Sequence, residues 1–187
     1  MNFFHRFIFV LLVSLTLISA NIAPANDIQA REYFVKAAFL YNFARLVEWP
    51  DRAFANDHAS IRLCLIGNNP FGGALATISK KKVNERTLQI SNIVNINNIS
   101  QCHILFISQS EKDNVKKIIS KTQYHAVLTV SELEYFAQNK GHIRLFLNSE
   151  KTLSLEVNLN AINQSGLKIS SHILTLATIV DSDKELP

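Results

Sequence analysis

Glycine and proline are scarce in this chain, five and four among 187 residues. Such counts exclude a collagen-like repeat and a Pro/Gly-rich linker composition. Charge is sparse as well, 18% against 48% apolar residues, which excludes disorder as the general state. The formal net charge is only +4, and the densest basic cluster is Lys80-Lys81-Lys82. That balance gives no footing for nucleic acid, and the lysine trio is expected to decorate a solvated helix end. Metal-ligand spacing is missing too: the histidines stand singly, with no H-x3-H and no zinc-type Cys-His spacing, so neither a metal nor a cofactor is expected. There is no G-x-S-x-G elbow, and no carboxylates form a close pair suited to acid–base work. Sequence order leaves open one catalytic arrangement, a Ser-His-Asp set assembled in space.

Long apolar runs are limited to one, Phe7 to Ser19, with Arg6 before it and Ala23-Pro24-Ala25 after it. A basic start, an apolar stretch of about 13 residues and an A-x-A site read as a secretory signal. The run falls short of the ~20 residues that span a bilayer as a helix. Residues 1–25 are therefore assigned as a signal peptide and 26–187 as one exported domain, with an uncleaved anchor as the alternative. Loss of Arg6 would lower the net charge from +4 to +3. No second long apolar run follows, so no membrane span is expected after cleavage. Export places Cys64 and Cys102 in an oxidising compartment, where an even count suggests one disulfide. In the chain-entropy model such a closure stabilises by roughly 4 kcal/mol. Two buried thiols are the alternative.

What is abundant is apolar residue in two rhythms. "VKAAFLYNFARLVEWP", Val35 to Pro50, belongs to a predicted helix from an Asp27 N-cap to about Glu48. Tyr33, Ala37, Leu40, Ala44 and Val47 form its stripe, and Phe39, Phe43 and Leu46 widen it beyond one sheet contact, so a second surface is expected. Pro50 takes Trp49 out of helical geometry and ends the helix. Phe39, Phe43, Leu46 and Trp49 are thus candidate core or interface residues.

Short strands are predicted at Ile61–Gly67, Thr87–Ile93, Cys102–Ser108 and His125–Ser131, the last two nearly all apolar, as a sheet covered on both faces requires. Helices are predicted over Phe71–Lys81, Glu111–Thr122 and Glu132–Asn139. Residues 142–149 and 152–160 then form a hairpin around Glu150-Lys151. A brief helix from Asn160 ends at Gly166, and a last one is capped by Ser170 or Ser171, with Ile173, Leu176, Ala177 and Val180 inward. The order gives a single-domain α/β sandwich: a mostly parallel central sheet, helices on both faces and a C-terminal antiparallel hairpin.

Two segments invite a functional reading. The loop "GNNPFGGA" echoes a phosphate loop in Gly67-x4-Gly72, but Gly73 stands where Lys is needed and Ala74 where Ser or Thr is needed. A tight turn that requires glycine is the better account. Gly67, Asn68, Asn69, Gly72 and Gly73 remain a candidate ligand loop. Glu156 alternates with Leu155 and Val157 in a strand; it is either solvated or in polar contact with Asn158 or a partner, since both share a face.

Several separated segments resemble the YfiR family of periplasmic regulators: the helix ending in Trp-Pro, "LCLIGNNPFG" and "CHILFIS" with one cysteine each, "LTVSELEYFAQNKGHIRLF", and "LEVNLNAINQSGLKISSHILTLATIV". They keep the family's order over most of Val35 to Val180. Glu132 stands where the family usually has Asp, Lys140 where it has the first Gly of a pair, and Leu155 where it has Phe. The resemblance implies a non-enzymatic periplasmic protein, often dimeric, that restrains an inner-membrane diguanylate cyclase by binding its periplasmic sensor domain. Release would raise cyclic-di-GMP and favour biofilm. The expected partner surface is Glu156, Asn158, Lys168, Ile169, Ser170 and Ser171. A periplasmic small-molecule receptor is the alternative.

Overall fold

The computed structural model describes residues 25–181, so all but the last residue of the expected signal segment lies outside it. Helix α1 (Ala25–Leu46) passes directly into a two-residue strand, β1 (Val47–Glu48). The helix includes Asp27, which therefore is not its cap, and ends at Leu46 rather than Glu48. Pro50 sits in extended geometry (φ −64°, ψ 151°), and the chain is already straightening two residues ahead of it.

Eight strands form the main sheet: β2 (Ile61–Ile66), β3 (Lys82–Val83), β4 (Arg86–Ile93), β5 (Ile104–Ile107), β6 (Leu128–Ser131), β7 (Ile143–Leu147), β8 (Leu153–Val157) and β10 (Ala177–Ile179), in the order β10-β8-β7-β6-β5-β2-β4-β3. Strands β4, β2, β5, β6 and β7 are mutually parallel. The hairpin is antiparallel, β7 against β8, and β10 returns parallel to β8. The short helices α2 (Val115–Thr122), α3 (Leu159–Gln164) and α4 (Ser171–Leu174), the remaining strand β9 (Lys168–Ile169) and four 3-10 turns complete the described elements.

Alternation along the strands sorts the core into two layers. Leu63, Leu65, Ile104, Phe106, Leu128 and Val130 face α1 and pack with Ala37, Leu40, Phe43 and Ala44. Cys64, Ile66, Leu105 and Ile107 face the other way, toward Ile118 and Ile119 of α2. The expected sandwich, helices on both faces of a mostly parallel sheet, is the observed one.

Two predicted helices are not formed and a third is cut short. Phe71–Lys81 holds only a 3-10 turn at Ala74–Thr77, and the chain then makes an unpredicted strand, β3, against the start of β4. Two adjacent glycines, one at φ +52°, leave too short a run to nucleate an α-helix there. Lys80-Lys81-Lys82 accordingly lies on a turn and an edge strand, not a helix end. Glu132–Asn139 is a chain of turns, with Tyr135 in the left-handed region (φ 56°). The last helix stops at Leu174, so Leu176 is 68% exposed instead of inward, and Ala177 enters the sheet through β10.

Candidate functional site

The two stretches that stand out in the sequence, "VEWP" and "GLKISS", meet in space. Strand β1 pairs antiparallel with β9, Val47 opposite Ile169 and Glu48 opposite Lys168. The Ser170 amide extends the ribbon by donating to the Leu46 carbonyl at 2.9 Å. Ser170 then caps α4, its hydroxyl accepting from the His172 amide at 3.3 Å. Gly166 makes the preceding turn at φ +75°, and a Cβ there would lie 2.8 Å from the Arg52 guanidinium. Lys168 and Ser171 are exposed, Ile169 and Ser170 half-buried. Trp49 completes the junction, its indole donating to the His103 carbonyl at 3.2 Å.

Glu156 and Asn158 lie apart from that ribbon in role. Glu156 faces Arg144 across the hairpin at 3.3 Å and accepts from Gln138, while the Arg144 guanidinium stacks 3.9 Å over Phe146. Asn158 is 0% exposed: its amide donates to Ala137 at 2.7 Å and its oxygen caps α3 by accepting from Ala161 at 2.8 Å. No partner can reach it, so the expectation that it lines a docking surface is corrected. A buried helix end demands a polar cap, and Asn158 is that cap.

The glycine loop divides between two hollows. Gly67 (φ +86°) closes on the turn after β5, where a Cβ would come within 2.4 Å of Ser110 Oγ. Its neighbour's amide is used internally, Asn68 N donating to Ser110 Oγ at 2.9 Å. Asn69 turns the chain by accepting from the Phe71 amide at 2.9 Å. Amides committed in this way are not arrayed as a phosphate cradle. Gly67 and Asn68 border a cleft of about 880 Å³ with Asn92–Ile96 beyond β4 and Glu111, Asn114 and Lys117 near α2. Gly72 and Gly73 instead edge a hollow of about 330 Å³ beside Tyr33 and Phe34.

On α1, Phe43 is 1% exposed and meets Phe39 edge-on at 6.1 Å, and Leu46 packs against the same core. The second surface expected for this side is the C-terminal ribbon with α4, through the β1–β9 pairing. The apolar residues left exposed on the helix are others, Ile28, Phe34 and Val35. Sequence reasoning missed Lys36, which is 3% exposed and paired with both Glu32 and Glu132. Tyr33 donates to Glu132 at 3.3 Å, and burial, then the Glu132 and Glu32 charges, push its phenol well above its ordinary value. An i,i+4 Glu-Lys spacing was the available signal; the second carboxylate lies 96 positions away.

A family model described as YfiR/HmsC-like matches residues 33–178, which span both layers, the ribbon and the glycine loop. The chain belongs to the YfiR/HmsC-like family. No curated protein gives a significant match. A solved structure, the conserved domain protein from Vibrio cholerae O1 biovar El Tor strain N16961, is similar at 9% identity and TM-score 0.47. That similarity covers 63% of this chain and 54% of the other.

Membership in the YfiR/HmsC-like family supports a regulatory role for this chain. Among the described residues, no helix is long and apolar enough to cross a membrane and no group of His, Cys, Asp and Glu could hold a metal ion. Two Ser-His pairs assemble among the described residues, each at 3.1 Å: Ser170 Oγ with His172 Nδ1, where the hydroxyl also caps α4, and Ser165 Oγ with His142 Nε2, where both residues are buried. His142 Nδ1 accepts the Thr129 amide at 3.1 Å, so no carboxylate orients the ring as a base. Burial lowers this imidazole from 6.5 to about 4. His103 is lowered likewise from 6.5 to about 4, by burial first and then by the Arg62 charge.

The two departures in the turn region have structural consequences. Glu132, usually Asp in the family, reaches Lys36 and pins α1 to the carboxyl end of β6. Lys140, usually Gly, is held at φ 69°, whereas a Cβ on Gly141 would lie 2.4 Å from the Phe136 ring. Cys64 in β2 and Cys102 ahead of β5 form a disulfide, Cα–Cα 5.9 Å, inside the layer under α2.

Proposed function

We propose that the regulator restrains its cyclase by gripping the enzyme's periplasmic sensor domain with the β1–β9 ribbon and the residues beside it. The observation that carries this reading is the ribbon itself: Glu48, Lys168 and Ser171 are exposed along it, with Ser170 and Ile169 half-buried beside them, although they come from opposite ends of the domain. Leu176 and Ile179, both exposed, adjoin it in the chain and add apolar area. Glu156, anchored by Arg144, contributes a fixed negative charge on the neighbouring hairpin. Holding one conformation of the sensor domain in preference to another shifts the cyclase population toward the inactive state. The test is a binding titration of the exported chain against the sensor domain of the membrane cyclase encoded nearest to it. Binding that Lys168→Glu weakens at least tenfold with the circular dichroism unchanged supports the reading, and equal binding by the variant overturns the surface.

A second reading, a small-molecule receptor, draws support from the cleft beside Gly67 and Asn68, at the carboxyl ends of parallel strands where α/β sheets hold ligands. Such a ligand would release the partner. A solute that stabilises the chain and lowers its affinity for the sensor domain would establish it.

A further inference from the structure

Strand β4 leaves part of its outer side uncovered. Leu88 turns both of its backbone groups outward: its amide donates to Lys81 and its carbonyl accepts from Lys80, each at 2.9 Å. Backbone direction alternates with period two, so the amides and carbonyls of Ile90 and Asn92 point outward as well, while Gln89, Ser91 and Ile93 point toward β2. Strand β3 covers only the start of this edge, Lys82 opposite Thr87 and Val83 opposite Arg86. The chain runs away from it at Lys80, where φ is 60°. No described strand lies beside Ile90 and Asn92.

Exposed edges are ordinarily blunted by charge, proline or a bulge. From Thr87 to Asn98, "TLQISNIVNINN", there is no charged residue and no proline, and β4 pairs with β2 without interruption from Leu88 to Ile93. Val94, at the end of the strand, is 100% exposed. The charges gather at the other end, where Lys80, Lys81 and Lys82 are all exposed.

We propose that the outer edge of β4, from Gln89 to Val94, is a strand-addition site for an extended partner segment. That segment is uncharged along Ile90 and Asn92 and acidic at its C-terminal end. Direction and charge decide the chemistry together. A strand added antiparallel to β4, as β3 is, runs from Val94 toward Leu88 and delivers its C-terminal end to the three lysines. Main-chain bonds to Ile90 and Asn92 supply the affinity, and the lysines select the acidic end. A second copy fits less well. Twofold pairing over so short an edge buries far less than the ~1,200 Å² of a stable interface, and neither copy offers an acidic end to the lysines. This site lies toward the carboxyl end of β4, whereas Val47 and Glu48 of the ribbon share a hollow with Val83–Arg86 at the other end of that strand.

A random octapeptide phage library panned on the folded, oxidised protein tests this. Enriched peptides should be β-prone and uncharged in their first five or six positions, with Asp or Glu near the C-terminus. Asn92→Pro removes one outward amide without breaking a bond to β2, a substitution an edge position tolerates. It should keep the wild-type circular dichroism and thermal midpoint and lose peptide binding at least tenfold. Lys80, Lys81 and Lys82 changed together to Ala should weaken the acidic peptides and leave neutral ones unchanged. The proposal is overturned by failure to enrich any peptide, by undiminished binding to folded Asn92→Pro, or by acids enriched at the N-terminal end. It is also overturned if the wild-type protein dimerises through an edge that Asn92→Pro abolishes.

Discussion

Individual residues in this protein are placed by the cost of leaving polar groups unpaired, and two of them carry measurable consequences. Lys140 occupies the left-handed region at φ 69°, where a side chain costs stability and glycine does not. Lys140→Gly should raise unfolding stability by about 1 kcal/mol, read as a shifted denaturant midpoint at unchanged slope. A lower midpoint would mean that the lysine side chain contributes more than its backbone costs. His142 is buried and neutral, its pKa lowered from 6.5 to about 4. The unfolded chain therefore takes up a proton first as pH falls. The stabilisation is complete above about 6.5 and is lost between about 6.5 and about 4, at ~1.4 kcal/mol per unit of displacement. His103 acts with the same sign over the same window. Ring-proton spectra of the folded protein provide the check: a His142 imidazole titrating near 6.5 would contradict its burial as a neutral acceptor of the Thr129 amide.

The secondary-structure elements divide by how fully their cause is local. Parallel strands such as "CHILFIS" and "HAVLTVS" are legible because a sheet covered on both faces needs unbroken apolar runs, and the stripe of α1 is legible for the same reason at helical spacing. The failures fall where a long-range contact decides. Val47-Glu48 continues the helical pattern, but pairing with Ile169 and Lys168, over a hundred residues on, draws it into a ribbon. Leu176 and Ala177 likewise fit a helix stripe until β8 recruits Ala177 as a strand. Asn158 and Lys36 read as surface residues because sequence shows polarity and hides the Ala137 carbonyl and the Glu132 carboxylate that satisfy them. The disulfide was legible from compartment and count, and it ties β2 to the chain entering β5. Its 38-residue separation implies that reduction costs roughly 4 kcal/mol. Thermal unfolding with and without reductant, set beside a Cys64→Ala/Cys102→Ala variant, measures it. Equal midpoints would show that the sheet holds this layer unaided.

For the molecule as a whole, the ribbon is both a closure and a surface, and the two roles separate by charge. Glu48 and Lys168 are cross-strand neighbours, a pairing of opposite charges that contributes at most about 1 kcal/mol at an exposed position. Glu48→Lys alone places two cations opposite each other, and Lys168→Glu alone places two carboxylates; each should lower stability by a few tenths of a kcal/mol. The double swap restores opposite charges and with them the wild-type denaturant midpoint. Under the proposed function its binding does not return, because the sensor domain meets the same ribbon with the charges exchanged. Affinity should stay at least tenfold below wild type, about 1.4 kcal/mol, while the fold is intact. If affinity recovers along with stability, the ribbon serves only to fasten α1 to the C-terminal segment, and the partner surface must be sought elsewhere on the domain.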